Sequence, residues 1–168
     1  MLLPLTLLTL ALLPAQPADP TLPPANAQVR YTAIGHGVQI YRCTASQPAS
    51  QPITFAWQFQ GPEATLYDTT TGAEIGSHSA GPTWTWKDSS AVVGKLLQSK
   101  PSPDPAAIPW LLLEAHSTGE PGALSDIKFV RRSDTQAGQA PTTGCGAQHY
   151  DNVIRVPYQA TYTFYTAQ

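Results

Sequence analysis

The ten residues VPYQATYTFY, 156–165, decide the fold class. Val156, Tyr158, Ala160, Tyr162 and Phe164 fall on one face of an extended chain, and Gln159, Thr161 and Thr163 fall on the other. Successive side chains of a strand point to opposite sides, so this alternation marks a strand with one buried face. The same period recurs in ITFAWQFQ, where Ile53, Phe55, Trp57 and Phe59 oppose Thr54, Ala56, Gln58 and Gln60. These two strands are expected to supply much of an aromatic core.

VQIYRC, 38–43, reads as a further strand, with a turn at Ile34-Gly35-His36-Gly37 folding back a strand at 28–33. LYDTTTGAEIGSH reads as a hairpin turning at 69–72 behind Asp68, and TWTWKDSSAVVGKLL as a second one turning at Asp88-Ser89-Ser90. PWLLLEAH and DIKFVRR bring the total to about nine strands. The stretch KPSPDPAAIPW is an extended connection with room for one helical turn around 104–107, because each proline removes a donor and constrains its predecessor. The chain holds 17 prolines and 12 glycines, which favours many turns over long helices. The expected architecture is all-β, a single antiparallel β-sandwich or partly closed barrel over 28–168 with at most a short helix.

Charged residues make up 12% of the chain and the formal net charge is −2, so no field exists to gather a polyanion. Nucleic acid is therefore not expected as a partner. Residues 1–27 begin with an uncharged apolar run at 2–13 and then turn polar and proline-rich, the outline of a secretory signal peptide and leader cleaved somewhere in 15–27. The run falls short of the roughly 20 residues that cross a bilayer, and no second one follows. Export to the medium or periplasm is expected, without a stable membrane anchor. Cys43 and Cys145 then face an oxidising compartment, where a pair is most often a disulfide. Two separately buried thiols are the alternative, and a metal site without a CxxC spacing is the weakest reading.

The succession GVQIYRC, FAWQFQGPEATLYD, GSHSAGPTW, VVGK, PDPAAIPWLLLEA, APTTGC and VPYQATYTFY resembles a family of secreted bacterial and fungal proteins known only as domain of unknown function 3455. The resemblance covers about 29–165. It implies secretion, a single compact domain and pairing of Cys43 with Cys145, and it brings no catalytic residues. The chain departs from the family pattern at Asp88-Ser89-Ser90 and at 131–135. A nicotinamide cofactor finds no Gly-rich strand-turn-helix fingerprint here.

Two constellations invite chemistry. In GSHSAGPTW the first account is structural: Gly76 ends a strand, Gly81-Pro82 turns the chain and Trp84 fills the core. The functional account places His78, Trp84 and Trp86 at one end of the sheet as a surface for a sugar ring or other flat ligand. In PWLLLEAH, Glu114 and His116 share a strand face, and with His78 they would make a site for zinc or copper or an acid/base pair. Arg131 and Arg132 alternate faces, and two arginines do not make an anion-binding patch. No Gly-x-Ser-x-Gly elbow is present, and no cofactor is implied. The expectation is a binding or structural module presenting a Trp/His surface to an extracellular ligand, with a glycan as one candidate. The rival is a secreted hydrolase or metal-dependent enzyme built on the His/Glu cluster.

Overall fold

Eight strands follow one another along the chain: β1 (Ala27–Ser46), β2 (Thr54–Asp68), β3 (Glu74–Ser79), β4 (Thr83–Trp86), β5 (Ala91–Lys100), β6 (Trp110–Ser117), β7 (Ile127–Ala137) and β8 (Val153–Ala167). The computed structural model describes residues 18–47, 49 and 51–167, so the apolar run at 2–13 lies outside the described residues. Each strand pairs antiparallel with its neighbour in sequence, and β8 returns to β1 to complete a closed barrel. Of the two expected architectures the chain takes the barrel, and the sheet closes fully, leaving no edge along the ring. The only helix among the described residues is a 3-10 turn at Ala147–His149, and no helix there is long and apolar enough to cross a membrane.

The expected turn at 34–37 does not exist. Residues 28–33 and 38–43 belong to one strand, β1, and its two glycines serve close packing. A Cβ on Gly35 would lie 2.6 Å from Cε2 of Tyr162, and one on Gly37 would lie 2.1 Å from the carbonyl oxygen of Glu63. Likewise, the segments around 53–60 and 66–68 form one strand, β2. Its register against β1 slips between Ile40 and Tyr41, beside Gly61 at φ 154°. With these mergers the chain makes eight strands where about nine were expected.

The β1–β2 hairpin outruns the barrel, since β8 pairs with β1 only as far as Arg42 and β3 pairs with β2 only from Ala64 to Tyr67. Ile53 and Phe59 are therefore more than half exposed, and Phe55 and Trp57 only partly buried. ITFAWQFQ does not line the core as its alternation suggested. The other strand does: Tyr158, Ala160, Tyr162 and Phe164 all point inward and are buried. Phe164 meets Trp84 and Trp86 edge-on, with centroids 6.2 and 4.9 Å away, and Leu66, Val92, Leu124, Ile127 and Val130 fill the space around them.

The turns follow their polar residues. Asp68 Oδ1 accepts hydrogen bonds from the backbone of Thr70 and Thr71, and Gly72 sits at φ 68°. Asp88 Oδ1 accepts from the backbone and hydroxyl of Ser90, while Ser89 takes φ 67° between them. At 104–107 the single turn is present, with Ala107 N–H donating to the Asp104 carbonyl. Cys43, fully buried in β1, is disulfide-bonded to Cys145 in the loop before β8.

The segment before β1 docks on the outer wall. Asp19 Oδ2 meets Lys100 Nζ at 2.8 Å and Arg131 Nη2 at 3.1 Å, and Oδ1 accepts from the backbone and hydroxyl of Thr21, which is fully buried. Both cations also stand over the ring of Trp110, at 4.5 and 5.2 Å from its centroid. Asp19 and Thr21, upstream of Gln28, are thus packed against the barrel. Burial pushes the Asp19 carboxyl up, but the bonds from Lys100 and Thr21 outweigh it and hold the group well below the usual carboxylate range. Asp19→Asn is expected to cost about 1–2 kcal/mol, the range for hydrogen bonds to a charged group at a partly wet site. Urea unfolding at neutral pH measures it, and an unchanged midpoint would mean that the segment does not grip the barrel in solution.

Candidate functional site: a cavity at the mouth of the barrel

The inward residues of β1 below the cysteine are Tyr41 and Gln39, and the inward residue of β3 is His78. With Leu111 and Leu113 of β6 and Arg132 of β7 they surround a cavity of about 420 Å³ that opens at the end where the β1–β2 hairpin projects. The volume lies within the range that small-molecule sites occupy. Its deep lining is buried, with Gln39 at 2% and His78 at 3% exposure, whereas Phe59 at 52% and Leu96 at 55% stand at the rim. No Asp, Glu, Ser, Thr or Cys is among the lining residues.

Glycines and prolines make part of the cavity wall. Gly94 faces inward with Leu113 and Trp84 so close that a Cβ would come within 2.9 Å of both, and Gly61 and Pro62 take the bend of β2 outward. Below, the space ends on aromatic rings. His78 lies flat on Trp84, with centroids 4.4 Å apart and planes 6° off parallel, and its edge meets Tyr162 at 5.0 Å. The hydroxyls of Tyr158 and Tyr162 bond each other at 2.9 Å.

Three polar groups give this apolar space direction. His78 Nδ1–H donates to the Thr83 carbonyl at 2.9 Å, so Nε2 keeps its lone pair and acts as an acceptor. Burial holds the imidazole pKa down at about 4, outweighing the Thr83 bond, and the Arg132 charge lowers it further. The ring is neutral at physiological pH. Gln39 lies beside the Tyr158 hydroxyl, yet its amide nitrogen has no hydrogen-bond partner among the described residues. Two indole nitrogens, of Trp84 and Trp110, share that state, but neither residue lines the cavity. Arg132 directs Nε and Nη2 to the Pro109 carbonyl at 3.0 and 2.8 Å.

The structure brings together some of the expected residues and separates others. His78 and Trp84 are cross-strand partners and touch face to face. Trp84, however, is 1% exposed, a core indole with no free face, and Trp86 packs between Tyr31 and Phe164. Gly76 does not end a strand but lies within β3, opposite Trp86. Glu114 and His116 stand together on the outer face of β6, 3.7 Å apart and exposed, across the wall from His78. Among the described residues no three His, Cys, Asp or Glu side chains come close enough to hold a metal ion. Of the other histidines, His36 is on the outer face of β1 beside Tyr67, in a strand and not a turn, and His149 is in the 3-10 turn.

Gln39, Tyr41 and Arg132 were not among the expected site residues. Arg131 and Arg132 do alternate faces, and that alternation was the available signal: one points to Asp19 outside, the other into the cavity. No curated protein and no solved structure matches the chain. The family described as Protein of unknown function (DUF3455) matches residues 23–166, and with that span, the closed all-β fold and the Cys43–Cys145 disulfide in hand, the chain belongs to it.

Proposed function

We propose that the protein is an exported binding module that takes a small, largely apolar molecule into the mouth of its barrel. The observation that carries this reading is the cavity itself: apolar walls, exposed apolar rim residues Phe59 and Leu96, and an unpartnered Gln39 amide at depth. A buried donor without an acceptor costs free energy that a ligand acceptor recovers, and an apolar wall gains by shedding water. The cavity lining holds no Ser, Thr, Cys, Asp or Glu, and the Glu114/His116 pair stands exposed on the outer face with no second carboxylate beside it, which favours binding over hydrolysis.

The test is a thermal melt of the oxidised protein with 1-dodecanol, with soluble oligosaccharides as the competing class. A ligand at about 100 times its dissociation constant stabilises by roughly 2.7 kcal/mol, a shift of several degrees for a domain of this size. Dodecanol is expected to raise the melting temperature and the oligosaccharides to leave it unchanged. Leu96→Trp, at the exposed rim, is expected to narrow the entrance and abolish the shift while leaving the unliganded melt in place. A shift with oligosaccharides and none with dodecanol would overturn the reading.

A further inference from the structure

The charge on the cavity wall points beyond a neutral ligand. Arg42 meets Asp151, Arg131 meets Asp19 and Arg155 meets Glu63, each within 3.1 Å. Arg132, the single charged residue lining the cavity, makes no ion pair among the described residues. Its bonds to Pro109 engage two of three guanidinium nitrogens and a neutral oxygen only, leaving Nη1 without a role in them. A half-buried guanidinium beside apolar walls gains more from a carboxylate than one in open water does, because the walls exclude part of the screening solvent. Its charge also reaches the rings of Tyr41, His78 and Tyr158, and its side chain bonds the Tyr162 hydroxyl, a further neutral partner.

Resting on the binding reading above, we propose that the ligand is an apolar acid: an aliphatic or aromatic body held by Leu111, Leu113 and the rim, with a carboxylate on Arg132 and the Gln39 amide. Both groups are donors, and a carboxylate is an acceptor with room for both. An alcohol offers the same apolar body but no charge, which makes the pair a direct comparison.

Binding of dodecanoate and of 1-dodecanol is measured side by side, by displacement of a fluorescent apolar probe, at a pH where the acid is ionised. The acid is expected to bind at least about tenfold tighter, consistent with a charge-assisted pair in a site only partly open to solvent. Arg132→Gln is expected to bring the acid down to the affinity of the alcohol while leaving the alcohol nearly unchanged, and Arg132→Lys to retain part of the preference. Gln39→Leu keeps the charge and the fold-bearing Pro109 bonds, and is expected to weaken the acid severalfold. Equal affinity for acid and alcohol would leave the binding reading standing and overturn the acid. A preference for acid that survives both Arg132→Gln and Gln39→Leu would overturn it as well. Failure of both compounds to bind would sink the binding reading and the inference with it.

Discussion

Removal of the Cys43–Cys145 disulfide is expected to lower the unfolding free energy by about 4–5 kcal/mol, the chain-entropy value for a loop of roughly 100 residues. The two cysteines are 102 residues apart, so the crosslink restrains most of the unfolded barrel. Native contacts already hold the loop to the strand: Cys43 N–H donates to the Asn152 carbonyl, Asp151 N–H donates to the Cys43 carbonyl, and Trp57 Nε1 donates to the Thr143 carbonyl. The folded state can therefore survive the loss, and the cost falls on the unfolded side. Cys43→Ala with Cys145→Ala, compared with the oxidised protein in urea, measures it. The freed unfolded chain exposes more surface, so the denaturant slope is expected to rise as well, and free energies rather than midpoints must be compared. Equal free energies would show that the crosslink does not constrain the unfolded chain as its span requires.

Acid is the second strong lever. His78 has its ordinary pKa near 6.5 when the chain is unfolded and about 4 when folded, because burial penalises the imidazolium. The unfolded chain binds the proton first as pH falls, so stability rises with pH across this window. The contribution is fully present above about 6.5 and is lost between 6.5 and 4, reaching about 3 kcal/mol at the lower end at 1.36 kcal/mol per unit. His78→Gln, which titrates nowhere, is expected to flatten that part of the profile in urea unfolding from pH 7 to 4. Losses below that window belong to the carboxylates, Asp68 and Asp88 among them, whose pKa values are lowered by hydrogen bonds from Thr71 and from Ser90 respectively. An equally steep profile between 6.5 and 4 in the variant would place the acid sensitivity elsewhere.

β8 was legible in sequence because its inward face is continuous and large: Tyr158, Tyr162 and Phe164 are the core. β1 was legible only as two strands, 28–33 and 38–43, because Gly35 and Gly37 between them read as a turn. Ala33, Gly35, Gly37 and Gln39 point inward, while Ile34, Val38 and Ile40 point out, so hydrophobicity alone picks the wrong side. The crowding at the two glycines comes from the neighbouring strands: the Tyr162 ring of β8 stands against Gly35, and Glu63 and Ala64 of β2 press on Gly37. ITFAWQFQ failed for a different reason: its alternation is real, but half the strand extends past the barrel where there is no core to fill. Alternation reports a face and not what stands across from it. His78 was visible as an oddity, and its stacking on Trp84 follows from a pairing across the Gly81-Pro82 turn that the spacing made available. Arg132 was invisible as a site because its significance lies in the missing carboxylate, and only three dimensions show which arginines have one.

Closure of the ring also orders events in time. Every pairing except one joins strands that are consecutive in sequence, and hairpins of that kind form by short searches. The exception joins the first strand to the last, from Ala27 with Ala167 to Arg42 with Val153, and it must wait for the whole chain. Until β8 arrives, β1 offers one long unpaired edge, the kind of surface on which chains add to one another. The slow step and the vulnerable moment therefore coincide, and refolding yield should fall with protein concentration far more steeply than the stability of the finished barrel would suggest.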